Sequence, residues 1–162
     1  LIDAKAFNEM QTVIDVISAI RNIRTQWKVK PNDTVDVTLV PENESQEQIL
    51  MANQGDIKRI GRIKNLTIDS RVQTLKESAS QLVGALKVFI PLAGLVDLSA
   101  EKQKMSAEIN QKQKALDALQ GRLSNEAFVS KAPPDVITKE RERLAGLQKE
   151  VIELNKVLSN LN

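Results

Sequence analysis

The chain has 162 residues, a formal net charge of +2, 41% apolar residues and only 2% aromatic residues. This length allows one domain with an appendage or two small units, and a core of Leu, Ile, Val and Ala favours helices that pack along a seam. The sequence has no Cys and no His, which excludes thiol nucleophiles, imidazole bases, disulfides and the usual zinc sites. No apolar run has the length of a signal-peptide core or a membrane span, so we expect a soluble protein without a metal site.

The first thirty residues predict one amphipathic helix that ends near Trp27 to Lys30, because Pro31 disfavours helical geometry in the residue before it. No start signal precedes this helix, so we expect a fragment of a longer protein. Cations near its end either complement the helix dipole or contact phosphate; they are Arg21, Arg24 and Lys28. The predicted buried face consists of Phe7, Met10, Val13, Ile14, Ile17, Ile20 and Ile23.

The next segment predicts a small α+β unit. "TVDVTLV" alternates apolar and polar residues as a half-buried strand does, "ENESQEQILMAN" favours a helix, and a second short helix ends near Gly61. "RIKNLTID" predicts a strand, and "SQLVGALKVFIPLAGLVDL" predicts two or three strands turned at Gly84 and Gly94. About 65 residues of this kind are marginal as an independent domain. A basic cluster in this unit comprises Lys58, Arg59, Arg62 and Lys64.

From residue 98 onward, two runs with heptad spacing predict an antiparallel two-helix coiled-coil hairpin, because each run can bury its stripe only against the other. Each helix should extend roughly 35 to 40 Å. Polar residues occupy three seam positions, Lys102, Lys112 and Glu140. They either fix the register or aid solubility, or they contact a ligand. The first seam is Leu98, Lys102, Met105, Ile109, Lys112, Leu116, Leu119 and Leu123. The second is Ile137, Glu140, Leu144, Leu147, Val151, Leu154, Leu158 and Leu161.

The stretch "NEAFVSKAPPDVI" separates the two runs and forms the predicted hairpin tip. Ser124 or Asn125 caps a short turn, and the two prolines open the return helix. The residues expected to pack at the tip are Phe128, Val129 and Pro133. Cations cluster around the tip, either as a solvated helix face or as a grip on a nucleic-acid backbone; they are Arg122, Lys131, Lys139, Arg141 and Arg143.

The succession of "AIRNIRTQWKVKP", "KVFIPLAGLVDLSAE", the heptads and "LSNEAFVSKAPPDVITKERERL" resembles the C-terminal region of bacterial valyl-tRNA synthetases, over essentially the whole chain. The most specific pieces are "PLAGLVD" and "LSNEAFVSKAP". This resemblance implies that residues 1–30 are the last helix of an anticodon-binding bundle, 31–97 a small α+β connector, and 98–162 a coiled-coil arm. The arm is expected to lie against the outer corner of tRNA, where the D and T loops meet.

The same resemblance implies a parent enzyme that joins valine to its tRNA with ATP and Mg, edits misactivated threonine, and is cytoplasmic and monomeric. The "HIGH" and "KMSKS" signatures have no counterpart, and "KMS" at 104–106 resembles the second only by chance, because Met105 is a seam residue. We therefore expect a catalytically silent fragment without a cofactor. Its arm clamps valine-specific tRNA through phosphate contacts, and Phe128 either plugs the tip or stacks on a loop nucleotide.

Two alternatives remain open from the sequence. A hairpin of this kind is also typical of protein-binding or structural arms, and isolated heptads can exchange between chains, so the fragment is able to self-associate. Seryl-tRNA synthetases also grip tRNA with a coiled-coil arm. That arm precedes its catalytic domain, whereas here a helix and an α+β unit come first.

Overall fold

The computed structural model describes residues 3–162; the first two residues of the predicted first helix lie outside this range. The described residues form six α-helices and a four-stranded sheet, which confirms the predicted mixture of helices and strands. The chain divides into two compact units, one ending at Leu98 and the other spanning Ser99–Asn162. The two are described separately below.

The first helix, α1, spans Ala4–Gln26. The side chain of Asp3 caps its start by accepting a hydrogen bond from the backbone N–H of Lys5 at 3.0 Å. The helix ends at the predicted place, with Trp27 as its C-cap. Its buried residues are Val13, Val16, Ile17, Ala19, Ile20 and Ile23.

The predicted buried face of α1 is wrong in its first half. Phe7 and Met10 are each 58% exposed, and Ile14 is 48% exposed. At 100° per residue these three lie to one side of the buried stripe, which is centred on Val16 and Ile20. Because apolar residues at steps of three and four occur in both stripes, the sequence pattern did not separate the exposed stripe from the buried stripe beside it.

The rest of the first unit follows the predicted order of helices and strands. Strands β1, β4 and β3 are antiparallel neighbours, β1 and β2 are parallel, and the sheet order is β2-β1-β4-β3. Gly84 has φ 62° in the two-residue turn between β3 and β4, a conformation that favours glycine. The bounds are β1 Val35–Val40, α2 Glu44–Ala52, α3 Gln54–Ile60, β2 Ile63–Ile68, β3 Ser78–Val83 and β4 Leu86–Pro91.

The core of the first unit lies between this sheet and the helices. Helix α1 packs against β3 and β4, and α3 packs against β2. Leu39 of β1 pairs with Val88 of β4, so these side chains lie on the same face of the sheet. The alternating residues on that face are at most 1% exposed; they are Val35, Val37, Leu39, Leu86, Val88 and Ile90.

The second unit is helical, with α4 Leu98–Leu123, α5 Glu126–Lys131 and α6 Pro134–Leu161. Two ion pairs join α4 and α6: Lys112 with Glu150 at 2.6 Å and Arg122 with Glu140 at 3.2 Å. The second pair lies ten residues later on α4 and ten residues earlier on α6 than the first pair. The two helices therefore run antiparallel. We call α4, α5 and α6 together the arm.

Each of the eight seam positions predicted on α4, and each of the eight on α6, is buried or half-buried. The supercoiling that defines a coiled coil stays a prediction. The short helix α5 takes the place of the predicted turn at the tip. Asn125 caps it by accepting a hydrogen bond from the backbone N–H of Ala127 at 3.0 Å, and Pro134 opens α6 as predicted.

Candidate nucleic-acid interface

Four of the five cations predicted at the tip of the arm have exposed side chains without a partner among residues 3–162. Lys131 lies at the end of α5, and Lys139, Arg141 and Arg143 lie in the first third of α6; all four are exposed. None of their side chains forms a hydrogen bond or an ion pair with any residue in the described range 3–162. Their charges are therefore available to an anion.

The fifth cation, Arg122, is already engaged within the arm. Its Nη1 donates to Oε2 of Glu140 at 3.2 Å, and its guanidinium carbon lies 5.8 Å from the ring centroid of Phe128. The Glu140 side chain is only 18% exposed, whereas that of Arg122 is 52% exposed. Arg122 thus links α4 to α6 through an ion pair and to α5 through a cation–π contact.

The three residues predicted to pack at the tip lie on or beside α5. Phe128 and Val129 are half-buried, and the Phe128 ring faces the Arg122 guanidinium of the same arm. Pro133 is exposed and occupies the N-cap position of α6. The aromatic ring at the tip therefore has one partner inside the protein.

The seam residue Lys112 has a partner that sequence reasoning did not identify. Its Nζ lies 2.6 Å from Oε2 of Glu150 on α6 and 3.9 Å from Oε1 of Glu108 one turn earlier on α4. The hydrogen bond to Glu150 raises the pKa of Lys112 above its ordinary value, and the charges of both carboxylates act in the same direction. Lys112 therefore remains a cation at neutral pH and pins the register of the two helices.

In the first unit, two of the cations predicted as secondary RNA contacts bond to a loop. Nη2 of Arg24 donates to the carbonyl oxygens of Lys30 at 3.1 Å and Asp33 at 2.7 Å. Nη1 of Arg62 donates to the carbonyl oxygen of Pro31 in the same loop. Burial lowers the pKa of Arg24, and the positive charge of Arg62 adds to this effect. Both guanidinium groups are thus used in closing residues 30–33 against the fold.

The remaining secondary candidates are spread over the first unit. Arg59 forms an ion pair with Asp56 at 2.9 Å, one turn earlier on α3. Exposed positions are occupied by Arg21, Lys28, Lys58 and Lys64. The structure brings the side chains of Arg24 and Arg62 together at one loop, and among residues 3–162 no side-chain hydrogen bond or ion pair joins them to the other five.

Within residues 3–162 no group of three or more His, Cys, Asp or Glu side chains is placed to hold a metal ion. In the same range no helix is both long enough and apolar enough to cross a membrane.

Comparison with known proteins assigns the arm. Residues 97–162 match the family described as the valyl tRNA synthetase tRNA binding arm. A valine–tRNA ligase of Syntrophotalea carbinolica is 31% identical over 159 residues, which cover 98% of this chain and 18% of that protein. The chain belongs to the valine–tRNA ligase family and corresponds to its C-terminal region.

Two further valine–tRNA ligases show the same pattern. That of Francisella tularensis is 36% identical over 134 residues, covering 83% of this chain and 14% of the relative. That of Listeria innocua is 33% identical over 139 residues, covering 86% of this chain and 16% of the relative. The chain thus spans less than a fifth of the length of these valine–tRNA ligases.

Proposed function

We propose that this chain is a tRNA-binding part of a valine–tRNA ligase and that its arm binds the tRNA backbone. One observation carries the proposal. The segment that matches the tRNA-binding-arm family, residues 97–162, includes the compact unit Ser99–Asn162. That unit exposes four cations near its tip without partners among the described residues.

The mechanism is electrostatic clamping of tRNA at a distance from the catalytic centre. The arm extends as an antiparallel coiled coil, and the cations at its tip neutralise phosphates at the outer corner of the tRNA, where the D and T loops meet. Phosphate contacts fix the position of a nucleic acid without reading its bases. The arm therefore raises affinity and places the acceptor end, and selection of the valine-specific tRNA belongs to other parts of the enzyme. The phosphate contacts come from a subset of the cations predicted at the tip, which are Arg122, Lys131, Lys139, Arg141 and Arg143.

The proposal assigns the chemistry to the rest of a longer, cytoplasmic enzyme, which uses ATP and Mg to join valine to tRNA. In that enzyme α1 is the last helix of the anticodon-binding bundle. The exposed stripe of Phe7, Met10 and Ile14 supports this assignment, because apolar residues at steps of three and four are suited to packing against another helix. The sheet-containing part then connects the bundle to the arm.

A protein-binding arm is the competing function, and the tip does not favour it. Such an arm should present several exposed apolar anchors, yet Phe128 and Val129 are half-buried and Val136, the exposed large apolar residue of the tip stretch, is only 37% exposed. The same residues are consistent with a closed tip whose cations face outward.

The test is a titration of valine-specific tRNA against the chain and against a variant in which the four unpaired tip cations become Glu. We expect affinity to fall more than about tenfold, because charge-assisted contacts to phosphate are lost. The slope of log affinity against log salt should also decrease, by about 0.7 to 0.9 per lost contact. The variant carries K131E, K139E, R141E and R143E.

The matched control replaces four exposed lysines of α4 and α6 outside the tip by Glu, so that the net charge changes by the same amount as in the tip variant. This variant should lose much less affinity than the tip variant. Equal losses would show a nonspecific charge effect, and an unchanged affinity of the tip variant would refute the proposed binding surface. The control carries K104E, K114E, K149E and K156E.

A further inference from the structure

The basic residues of α6 lie on two different sides of that helix. Lys139 and Arg143 are four residues apart, and Glu150 follows Arg143 after seven, so all three project from one side. Arg141 is two residues from both Lys139 and Arg143, and it therefore projects about 200° around the helix from them.

Contacts with α4 show which side of the helix pair carries Lys139 and Arg143. Glu150 bonds to Lys112 of α4, and Glu108 approaches the same lysine at 3.9 Å. Arg122 follows Glu108 after fourteen residues, which is two heptads, so it lies on the same side of α4. We call this side the Arg143 side; by the same spacing its charged residues include Glu101, Glu108, Arg122, Asp135, Lys139, Arg143 and Glu150.

Charge is distributed unevenly along the Arg143 side. Away from the tip, Glu108 and Glu150 outnumber Lys112, so this part of the side is negatively charged. Near the tip, Arg122 is neutralised by Glu140, whereas Lys139 and Arg143 have no partner among the described residues. The exposed carboxylate of Asp135 lies one turn before Lys139, but the two cations outnumber it. This end of the side therefore remains net positive, with its cations one helical turn, or about 6 Å, apart along the axis.

The opposite side offers a weaker site for an anion. Arg141 is its cation on the first turns of α6, and the residues that follow it at steps of seven are Gln148 and Asn155, which carry no charge. On α4, the residue on this side one to two turns before the tip is Asp117, which is hydrogen-bonded to Gln113 at 2.9 Å. A nearby carboxylate lowers the attraction of this side for phosphate.

We propose that the arm meets the tRNA backbone with its Arg143 side, where Lys139 and Arg143 each bind a phosphate, while Arg141 faces away from the RNA. This inference rests on the proposed function and adds a direction to it. Two exposed cations one helical turn apart are suited to binding two phosphates of the same RNA strand, because each cation neutralises one phosphate independently. The guanidinium of Arg122 is held within the tip by its ion pair with Glu140 and is not one of the two proposed phosphate contacts.

The test compares R143E with R141E in the full chain, by titration with valine-specific tRNA. The two variants make the same substitution at exposed positions of the same helix, two residues apart, so charge and helix propensity change equally. We expect R143E to weaken binding about tenfold and R141E to weaken it less than about twofold. The double variant K139Q/R143Q should lower the salt slope by about 1.4 to 1.8, as the loss of two phosphate contacts requires. Thermal unfolding monitored by circular dichroism checks that both Glu variants melt alike.

The outcomes separate this inference from the proposed function. Equal losses in R143E and R141E would overturn the one-sided docking and leave the arm as the tRNA-binding element. A larger loss in R141E would place the RNA on the opposite side. Normal binding by both variants would overturn the inference, and the absence of any tRNA binding by the unaltered chain would overturn the proposed function together with it.

Discussion

Most arginine side chains of the first unit are engaged within the fold, whereas two of the three in the arm, Arg141 and Arg143, have no partner among the described residues. In the first unit, Arg24 and Arg62 hold the loop of residues 30–33, Arg59 is paired with Asp56, and Arg71 is paired with Asp69. In the arm, Lys139 and Arg143 project without partners among the described residues. A basic residue therefore indicates a ligand surface only where the fold has not already used its donors.

The same contrast extends to the cores. The first unit buries residues such as Ile20, Leu39 and Ile90 completely, between helices and a sheet. Most seam positions of the arm are only half-buried, because each of the two long helices is covered by the other on one face only. The first unit thus has a closed core, whereas the arm leaves much of its seam partly exposed, and each prediction below tests one part of this contrast.

The largest effect is expected in the core of the first unit. Ile20→Ala should lower the free energy of unfolding by about 2 to 5 kcal/mol, because Ile20 is fully buried and its loss leaves a cavity. Phe7→Ala is the control, and it should change stability by no more than about 0.5 kcal/mol, since Phe7 is 58% exposed. Denaturation with urea measures both values. Similar losses in the two variants would contradict the assignment of the buried face.

The second effect concerns the loop held by Arg24. Arg24→Ala should cost about 1 to 3 kcal/mol of stability, because it leaves the carbonyl oxygens of Lys30 and Asp33 without their donor. Arg21→Ala, one turn earlier and exposed, should cost less than about 0.5 kcal/mol. The affinity of folded Arg24→Ala for tRNA should remain unchanged. A loss of affinity without a loss of stability would make Arg24 an RNA contact.

The third effect concerns Arg122, the tip cation with a structural partner. A double-mutant cycle with Arg122→Ala and Glu140→Ala should give a coupling free energy of about 0.2 to 1 kcal/mol, as expected for a partly exposed ion pair. Thermal or urea unfolding of the four proteins provides the values. If the two substitutions are simply additive, the ion pair does not stabilise the tip and Arg122 is available to phosphate.

The smallest effect is a pH dependence at Lys112. Its pKa is raised in the folded state, so the resulting stability is fully present below the unfolded value of about 10.4 and is lost as pH rises through the folded value. The difference in melting temperature between the unaltered chain and Lys112→Gln should therefore be constant from about pH 6 to 9 and shrink above about pH 10.4. A difference that already disappears near neutral pH would contradict the pairing with Glu150.

Periodic patterns predicted most of the fold. Alternation in "TVDVTLV" identified β1, the two glycine-marked turns bounded the strands that follow, and the heptads identified the residues that are least exposed on α4 and α6. These features depend on local geometry and on the burial of one face, which the order of residues determines directly. Helix α5 was predicted only as a turn, because six residues are too few for a periodic signal.

The sequence patterns did not predict which residues the charged side chains contact. Nothing in the spacing of Arg24 and Arg62 indicates that they converge on one loop, since their contacts depend on how α1 and the chain before β2 meet around residues 30–33. Glu150 is far from Lys112 in sequence and becomes its partner only through the antiparallel register. Once the antiparallel register is assumed, the heptad positions of Lys112 and Glu150 place both residues on the same side of the helix pair. The heptad pattern together with the register could therefore have predicted this ion pair from the sequence.

The central claim is that the arm, rather than the first unit, binds tRNA. The most direct measurement titrates valine-specific tRNA against the full chain and against a chain truncated after Asp97, with circular dichroism to verify that the truncated chain retains its sheet. We predict that truncation weakens binding more than about tenfold and removes most of the salt dependence. Equal affinity and an equal salt slope in the two proteins would contradict the claim and place the binding surface in the first unit.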